Sequence, residues 1–174
     1  METREWSQLN DEARGFFSKT VDRVKVARAP GRLDVLGGIA DYSGSLVLQV
    51  PMREATAVAA ARSPASTVAR ARSLGHGADY ELPLSALRGY ASPVVALRDH
   101  LAATSAPAWA GYVVGTLAVL IEEQLASADD AAGGWEILVS SSVPEGKGVS
   151  SSAAVEVATM SALLGVLGAA PLEP

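Results

Sequence analysis

The chain has 174 residues, 49% of them hydrophobic and 19% charged, so it can supply the packed core of one domain and does not have the composition of a disordered chain. Its 14 Lys and Arg against 19 Asp and Glu leave a formal net charge of -5, and no basic stripe follows the sequence, which argues against nucleic acid as a partner. It has no cysteine, which excludes a disulfide scaffold, a thiolate metal site and a cysteine nucleophile.

Residues 1–19 are charged and mixed, without the apolar core of a signal peptide. The most apolar stretch, residues 109–120, is too short and too interrupted by glycine to span a bilayer. No membrane role and a cytoplasmic location are expected. In chain order, residues 5–20 read as a short helix with Leu9, Phe16 and Phe17 on its apolar face. Residues 24–27 alternate as a strand that Ala29, Pro30 and Gly31 break, and residues 32–36 are a second extended piece ended by Gly37 and Gly38. Turn chemistry at Asp41, Tyr42, Ser43 and Gly44 leads to strands over residues 45–50 and 55–61, set around Pro51. Another strand is expected over residues 66–73, then a loop-rich stretch with a short edge strand over residues 80–84. Helical spacing covers residues 94–103 and 109–126, the latter through Trp109, Tyr112, Val113, Leu117, Leu120 and Ile121. A polar connector (127–134), a strand (135–141), a loop (142–149) and a helix (150–167) complete the chain. Strands cluster early and helices late, which predicts an α+β fold.

The strongest chemistry lies between Trp135 and Ala154, where a strand, a glycine-containing loop and a run of serines open a helix. A helix N-terminus leaves about four backbone N–H groups unpaired and concentrates positive potential there. Gly146 and Gly148 let an anion approach the backbone, Lys147 adds a point charge, and Ser150, Ser151 and Ser152 offer hydroxyls to phosphate oxygens or a magnesium ion. A Walker A loop does not fit, because Gly148 rather than Ser or Thr follows Lys147. A dinucleotide loop would need glycine where Ser151 stands.

The string from Pro144 to Ala154, Pro-Glu-Gly-Lys-Gly-Val-Ser-Ser-Ser-Ala-Ala, resembles the second motif of the GHMP kinase superfamily. That resemblance implies an α+β, two-layer fold of the ribosomal protein S5 domain 2-like kind, here as the N-terminal domain over residues 1–174. It also implies that Pro144, Gly146, Lys147, Gly148, Ser150, Ser151 and Ser152 bind ATP, with Ser152 assisting Mg2+. Glu156, one turn beyond Ser152 on the same face, could look toward the metal, although the plainer reading is a solvated side chain.

A second string, from Ala29 to Leu48, resembles the galactokinase signature through Arg32, Gly37, Asp41 and Tyr42. The resemblance implies that Arg32 stabilises charge on the transferring phosphoryl group and that Asp41 binds sugar hydroxyls, with Gly38, Ile39 and Tyr42 completing the sugar contacts. Both roles suit the side chains, since a guanidinium complements phosphoryl charge and a carboxylate accepts two hydroxyl hydrogen bonds. Where galactokinases place Glu-His, which holds the sugar's 6-hydroxyl, this chain has Gly38 and Ile39. L-arabinose shares the ring stereochemistry of D-galactose but lacks that hydroxymethyl group. A 6-hydroxyl buried without a partner costs about 1–3 kcal/mol, so a pocket lacking both partners selects the pentose. Together with Trp109 to Thr116 and Val143 to Ser152, the string resembles the L-arabinokinase branch. Asp34, where galactokinases have asparagine, is assigned nothing beyond being a neighbour of Arg32.

The resemblance implies a reaction of L-arabinose with ATP to give arabinose 1-phosphate and ADP. The catalytic aspartate of the family and its C-terminal domain are not found in these residues, so the general base is missing and the chain by itself is expected to be inactive. Two alternatives remain: a D-galactose 1-kinase, and a galactokinase-like regulator that binds sugar and ATP without catalysis. His76 and His100 show no partner pattern for a metal. Trp6, Trp109 and Trp135 read as core, and Glu122 with Glu123 as a solvated helix face.

Overall fold

The computed structural model describes residues 3–21, 23–38, 43–87, 91–126 and 133–169. Helix α1 (Arg4–Phe16) precedes strands β1 (Val24–Leu36), β2 (Leu48–Ser63), β3 (Val68–Ser73) and β4 (Tyr80–Pro83). A 3-10 turn (Leu84–Leu87), helices α2 (Pro93–Thr104) and α3 (Ala108–Glu122), strand β5 (Gly134–Ser141) and helix α4 (Ser151–Leu167) follow. The five strands form one mixed sheet in the order β1-β2-β5-β3-β4. Only β3 and β5 run parallel; the other neighbours are antiparallel. The chain is thus mixed α/β, with its strands mostly early and its longest helix late.

Alternation along the two central strands decides what packs on each face. Val58 and Ala60 of β2, with Ile137 and Val139 of β5, join the main core built with Val113 and Leu117 of α3 and Ala158, Ala162 and Leu163 of α4. Ala57, Ala59 and Leu138 point the other way and meet Leu9 and Phe16 of α1. So many alanines on β2 let helices close tightly on both faces. Burying a side chain such as Leu9 or Phe16 contributes about 1.5–3 kcal/mol, enough to hold α1 against the sheet. Helix α2 starts where Ser92 accepts the Val95 N–H and Pro93 fixes the first turn.

Three sequence expectations change. The break at Ala29, Pro30 and Gly31 is a register shift inside one continuous strand, because β1 is the sheet edge and a proline there leaves no ladder partner unmet. Likewise β2 runs through Pro51, since β5 pairs only with residues 56–63 and Pro51 has β1 as its one neighbour. Helix α1 stops at Phe16: Phe17 is extended, and the Ser18 N–H turns to Glu136 Oε2 at 2.8 Å. Beyond Pro30 and Pro51 the β1–β2 ribbon leaves the sheet, and Leu33, Val35, Leu36, Leu48 and Val50 along it are exposed. Of the connector expected over residues 127–134, residues 127–132 lie outside the described residues.

Candidate functional site

Strand β5 delivers the chain to the loop before α4 with its start clamped. Ser142 N–H donates to the Ala55 carbonyl at 2.9 Å, and the Ser142 hydroxyl accepts from Ala55 N–H at 3.1 Å and donates to Glu5 Oε2 at 3.0 Å. Val143 is buried and pins the loop base. The next residues, Pro144, Glu145, Gly146, Lys147 and Gly148, are exposed. Gly146 (φ 67°) and Gly148 (φ 69°) take the left-handed conformation that glycine adopts without strain, and the loop turns sharply on them.

Ser150 is also left-handed (φ 59°) and occupies the N-cap of α4, yet its side chain makes no capping hydrogen bond. No acidic residue lies in the first turn of the helix. The first turn therefore keeps its unpaired N–H groups and positive potential for an anion from outside the chain. An ordinary serine cap would have used one of those N–H groups internally.

The arginine strand is stitched to this loop. Arg32 N–H donates to the Val149 carbonyl at 3.0 Å. Gly31 makes the approach possible, since a Cβ there would lie 2.9 Å from Val143 Cγ1 and 3.2 Å from the Val149 oxygen. A cavity of about 370 Å³ opens at the junction, lined by Arg32, Gln49 and Pro51 from the ribbon and by Ser150, Ala153 and Val157 from α4. The Arg32 side chain is 44% exposed and its Nε stands 3.5 Å from Asp34 Oδ1. The amide nitrogen of Gln49 is shielded from solvent and has no hydrogen-bond partner among the described residues.

On the other side of the loop a cavity of about 470 Å³ is lined by Trp109, Tyr112 and Val155 together with Gly146, Ser151 and Ser152. The three serines therefore divide, Ser150 facing the Arg32 cavity and the other two facing Trp109. His76 Nε2 meets Glu145 Oε1 at 2.9 Å across the mouth, and its Nδ1 is 3.1 Å from the Ser73 hydroxyl. The indole N–H of Trp109 has no partner among the described residues.

Behind the loop, Glu5 is 2% exposed and receives Arg28 Nε at 3.0 Å as well as the Ser142 hydroxyl. Burial pushes its carboxyl up, but hydrogen bonds from its own backbone N–H, Thr3, Arg28 and Ser142 outweigh that and hold it below the usual glutamate range. The ion pair anchors α1 to β1, and the Ser142 hydrogen bond anchors it to the segment that launches the loop.

Arg32, Pro144, Gly146, Lys147, Gly148, Ser150, Ser151 and Ser152 are thus brought to one end of the sheet. Gly38 is described and packs against Asp34, whereas Ile39, Asp41 and Tyr42 lie outside the described residues. Glu156 is exposed on α4. Sequence reading missed three features. Trp109 lines a cavity as well as touching the core, and its place at the start of α3 was the available signal. His76 has an acidic partner, but one contributed by a loop far away in sequence. Glu122 accepts from the Ser92 hydroxyl at 2.6 Å and Val94 N–H at 3.1 Å, which draws its carboxyl down and caps α2 instead of leaving it merely solvated. Of the tryptophans, Trp135 is wholly buried and Trp6 is 38% exposed. No helix among the described residues is long and apolar enough to cross a membrane.

Two family models match the chain that builds this helix N-terminus beside the arginine strand. The GHMP kinases N terminal domain matches residues 111–173, and the galactokinase galactose-binding signature matches residues 15–62. Residues 111–173 thus carry a GHMP kinase N-terminal domain match and residues 15–62 a galactokinase-like signature. The chain is 42% identical to the L-arabinokinase of Arabidopsis thaliana over 90% of this chain and 17% of that protein. It is 31% identical to the galactokinase of Chloroflexus aggregans over 82% of this chain and 31% of that protein. The chain thus spans less than a third of the length of either relative. The crystal structure of Lactococcus lactis galactokinase complexed with galactose shares the fold at a TM-score of 0.60 and 22% identity, over 92% of this chain and 36% of that one.

Proposed function

We propose that these residues form the nucleotide- and sugar-binding part of an ATP-dependent sugar 1-kinase that converts L-arabinose to arabinose 1-phosphate. One observation carries the reading: the Arg32 N–H to Val149 carbonyl bond sets a guanidinium and an uncapped helix N-terminus around one cavity. Phosphoryl transfer asks for little else from a protein than positioning and electrostatic stabilisation of charge on the transferring group. In this reading the adenine base enters the cavity of Trp109 and Tyr112, and the triphosphate crosses Pro144, Gly146, Lys147, Gly148, Ser151 and Ser152. The transferring group then faces Ser150 and Arg32. The acceptor sugar lies against the ribbon beside Gly38, with Ile39, Asp41 and Tyr42 as its further proposed contacts. The 42% identity to an L-arabinokinase supports the pentose as acceptor.

Magnesium fits the donors at this end of the sheet. It keeps several waters and binds through one or two protein oxygens plus substrate phosphates. The Ser152 hydroxyl would supply one such oxygen and Glu156, four positions on along α4, would offer a second. No cluster of three or more His, Asp or Glu that would make an all-protein cage is found among the described residues. Bound there, the ion would neutralise charge on the phosphates while Ser152 orients it.

The match of residues 15–62 to a galactose-binding signature favours a second reading, D-galactose as the acceptor. The first test is Arg32→Lys, which keeps a charge but loses the planar fork. The account expects kcat to fall about 10²–10³-fold with the KM for ATP little changed. An unchanged kcat would remove Arg32 from the chemistry, and ATP binding without turnover in the unaltered protein would favour a non-catalytic regulator.

A further inference from the structure

The ribbon carries a carboxylate to which the kinase reading gives no role. Arg32 and Asp34 are two apart on β1, and their cross-strand partners on β2 are Pro51 and Gln49 with no register shift between them. All four side chains therefore share one face of the ribbon. Arg32, Gln49 and Pro51 line the cavity beside Ser150, so Asp34 lies on the cavity's own face, one step toward the tip. Its side chain is 34% exposed, and the Arg32 contact at 3.5 Å is too long and too wet to be a stabilising device.

Gly38 supplies the second observation. After the turn at Gly37 the chain folds back so that the Cα of Gly38 rests on the Asp34 side chain. A Cβ at 38 would stand 2.5 Å from Asp34 Oδ2, 2.7 Å from its Cγ and 2.9 Å from its Cβ. Contacts that close do not occur, so the Asp34 carboxylate holds the volume that a residue-38 side chain would take. The polar group in that space is a carboxylate reaching from the strand, on a Cβ that is fixed at 2.9 Å even where the carboxylate can turn. Across from it the Gln49 amide nitrogen has no partner among the described residues, a second polar group on this face that the protein leaves unmatched.

We propose that Asp34 is a specificity-determining residue of the acceptor site: it binds a hydroxyl of the sugar and takes up the space of a residue-38 side chain. This deepens the kinase reading and rests on it. A carboxylate accepts a hydroxyl hydrogen bond strongly, and its fixed reach sets the room left for a substituent on the ring.

The test measures L-arabinose, D-galactose and MgADP binding by titration calorimetry, with melting temperatures, on the full-length protein. Asp34→Asn keeps the shape and removes the charge; it should weaken L-arabinose about tenfold or more while leaving MgADP affinity unchanged. Gly38→Ala should lower both the melting temperature and L-arabinose affinity, but should cost nothing further once Asp34→Ala has cleared the space. Asp34→Ser serves the same purpose if the alanine variant does not fold. Asp34→Asn binding L-arabinose as the unaltered protein does, or Gly38→Ala costing the same in both backgrounds, overturns the proposal and leaves the kinase reading standing. An unaltered protein that binds MgADP but neither sugar overturns both.

Discussion

Replacing Gly31 by alanine would drive apart the two elements whose contact makes the site. A Cβ at 31 would lie 2.9 Å from Val143 Cγ1, 3.2 Å from the Val149 carbonyl oxygen and 3.4 Å from Met52 Sδ. Met52 can swing away. Val143 is 4% exposed and has nowhere to go, and the Val149 oxygen is fixed by the Arg32 N–H at 3.0 Å. Relief comes from separating β1 and the loop, which stretches that hydrogen bond and carries Arg32 away from Ser150. Overpacking of this kind costs about 1–3 kcal/mol, and for a domain of this size each kcal/mol lowers Tm by about 2–4 °C, so thermal melting should show a fall of about 2–12 °C. Steady-state kinetics should show the larger effect, a kcat reduced about 10–100-fold, because a displacement near 1 Å in a positioning group is that costly. Gly15 is the control: it lies in α1 with nothing within 4 Å of an added Cβ, so Gly15→Ala should be neutral or stabilising by up to about 1 kcal/mol. A Gly31→Ala protein that melts and turns over like the unaltered one would refute the claim that strand and loop are one assembly.

Three other outcomes follow from particular contacts. Glu5 titrates below its unfolded value, so its contribution is present above that value, about pH 4.3, and is lost as pH falls through the folded one. Glu5→Gln should therefore destabilise more at neutral pH than in acid, read from melting temperatures across pH 3–7, and a constant difference would remove the ionised carboxylate from the account. Gln49→Leu removes a shielded donor without a partner, so Tm should hold or rise while acceptor affinity drops about 3–10-fold; a lower Tm would make Gln49 structural. Trp109→Ala should raise the KM for ATP about 5–100-fold with kcat largely kept, as loss of base stacking predicts, and an unchanged KM would place the base elsewhere.

Local chemistry made some of this site legible in the sequence and long-range pairing hid the rest. The loop from Pro144 to Ser152 could be read because glycines with positive φ and a helix start are properties of neighbouring residues. Helices α2 and α3 could be read from their spacing, and α4 from its run of Ala, Val and Leu after the serines. The continuity of β1 through Pro30 and Gly31 could not, since whether a proline breaks a strand depends on whether a neighbour needs its N–H. His76 with Glu145, and Glu5 with Ser142, join residues distant along the chain and leave no periodic trace. In the sequence Gly38 stands only for the absence of a sugar ligand. The fold shows a steric reason for it as well, and that reason lies in Asp34, which sequence alone could place only beside Arg32.

The measurement that bears most directly on the central claim is phosphoryl transfer by the full-length protein, supplied with MgATP and either L-arabinose or D-galactose and followed by phosphorus NMR. The account predicts an anomeric sugar phosphate and stoichiometric ADP with L-arabinose, and a much slower reaction with D-galactose. Equal or faster turnover of D-galactose would contradict the acceptor assignment, and no sugar phosphate from either would contradict the kinase itself.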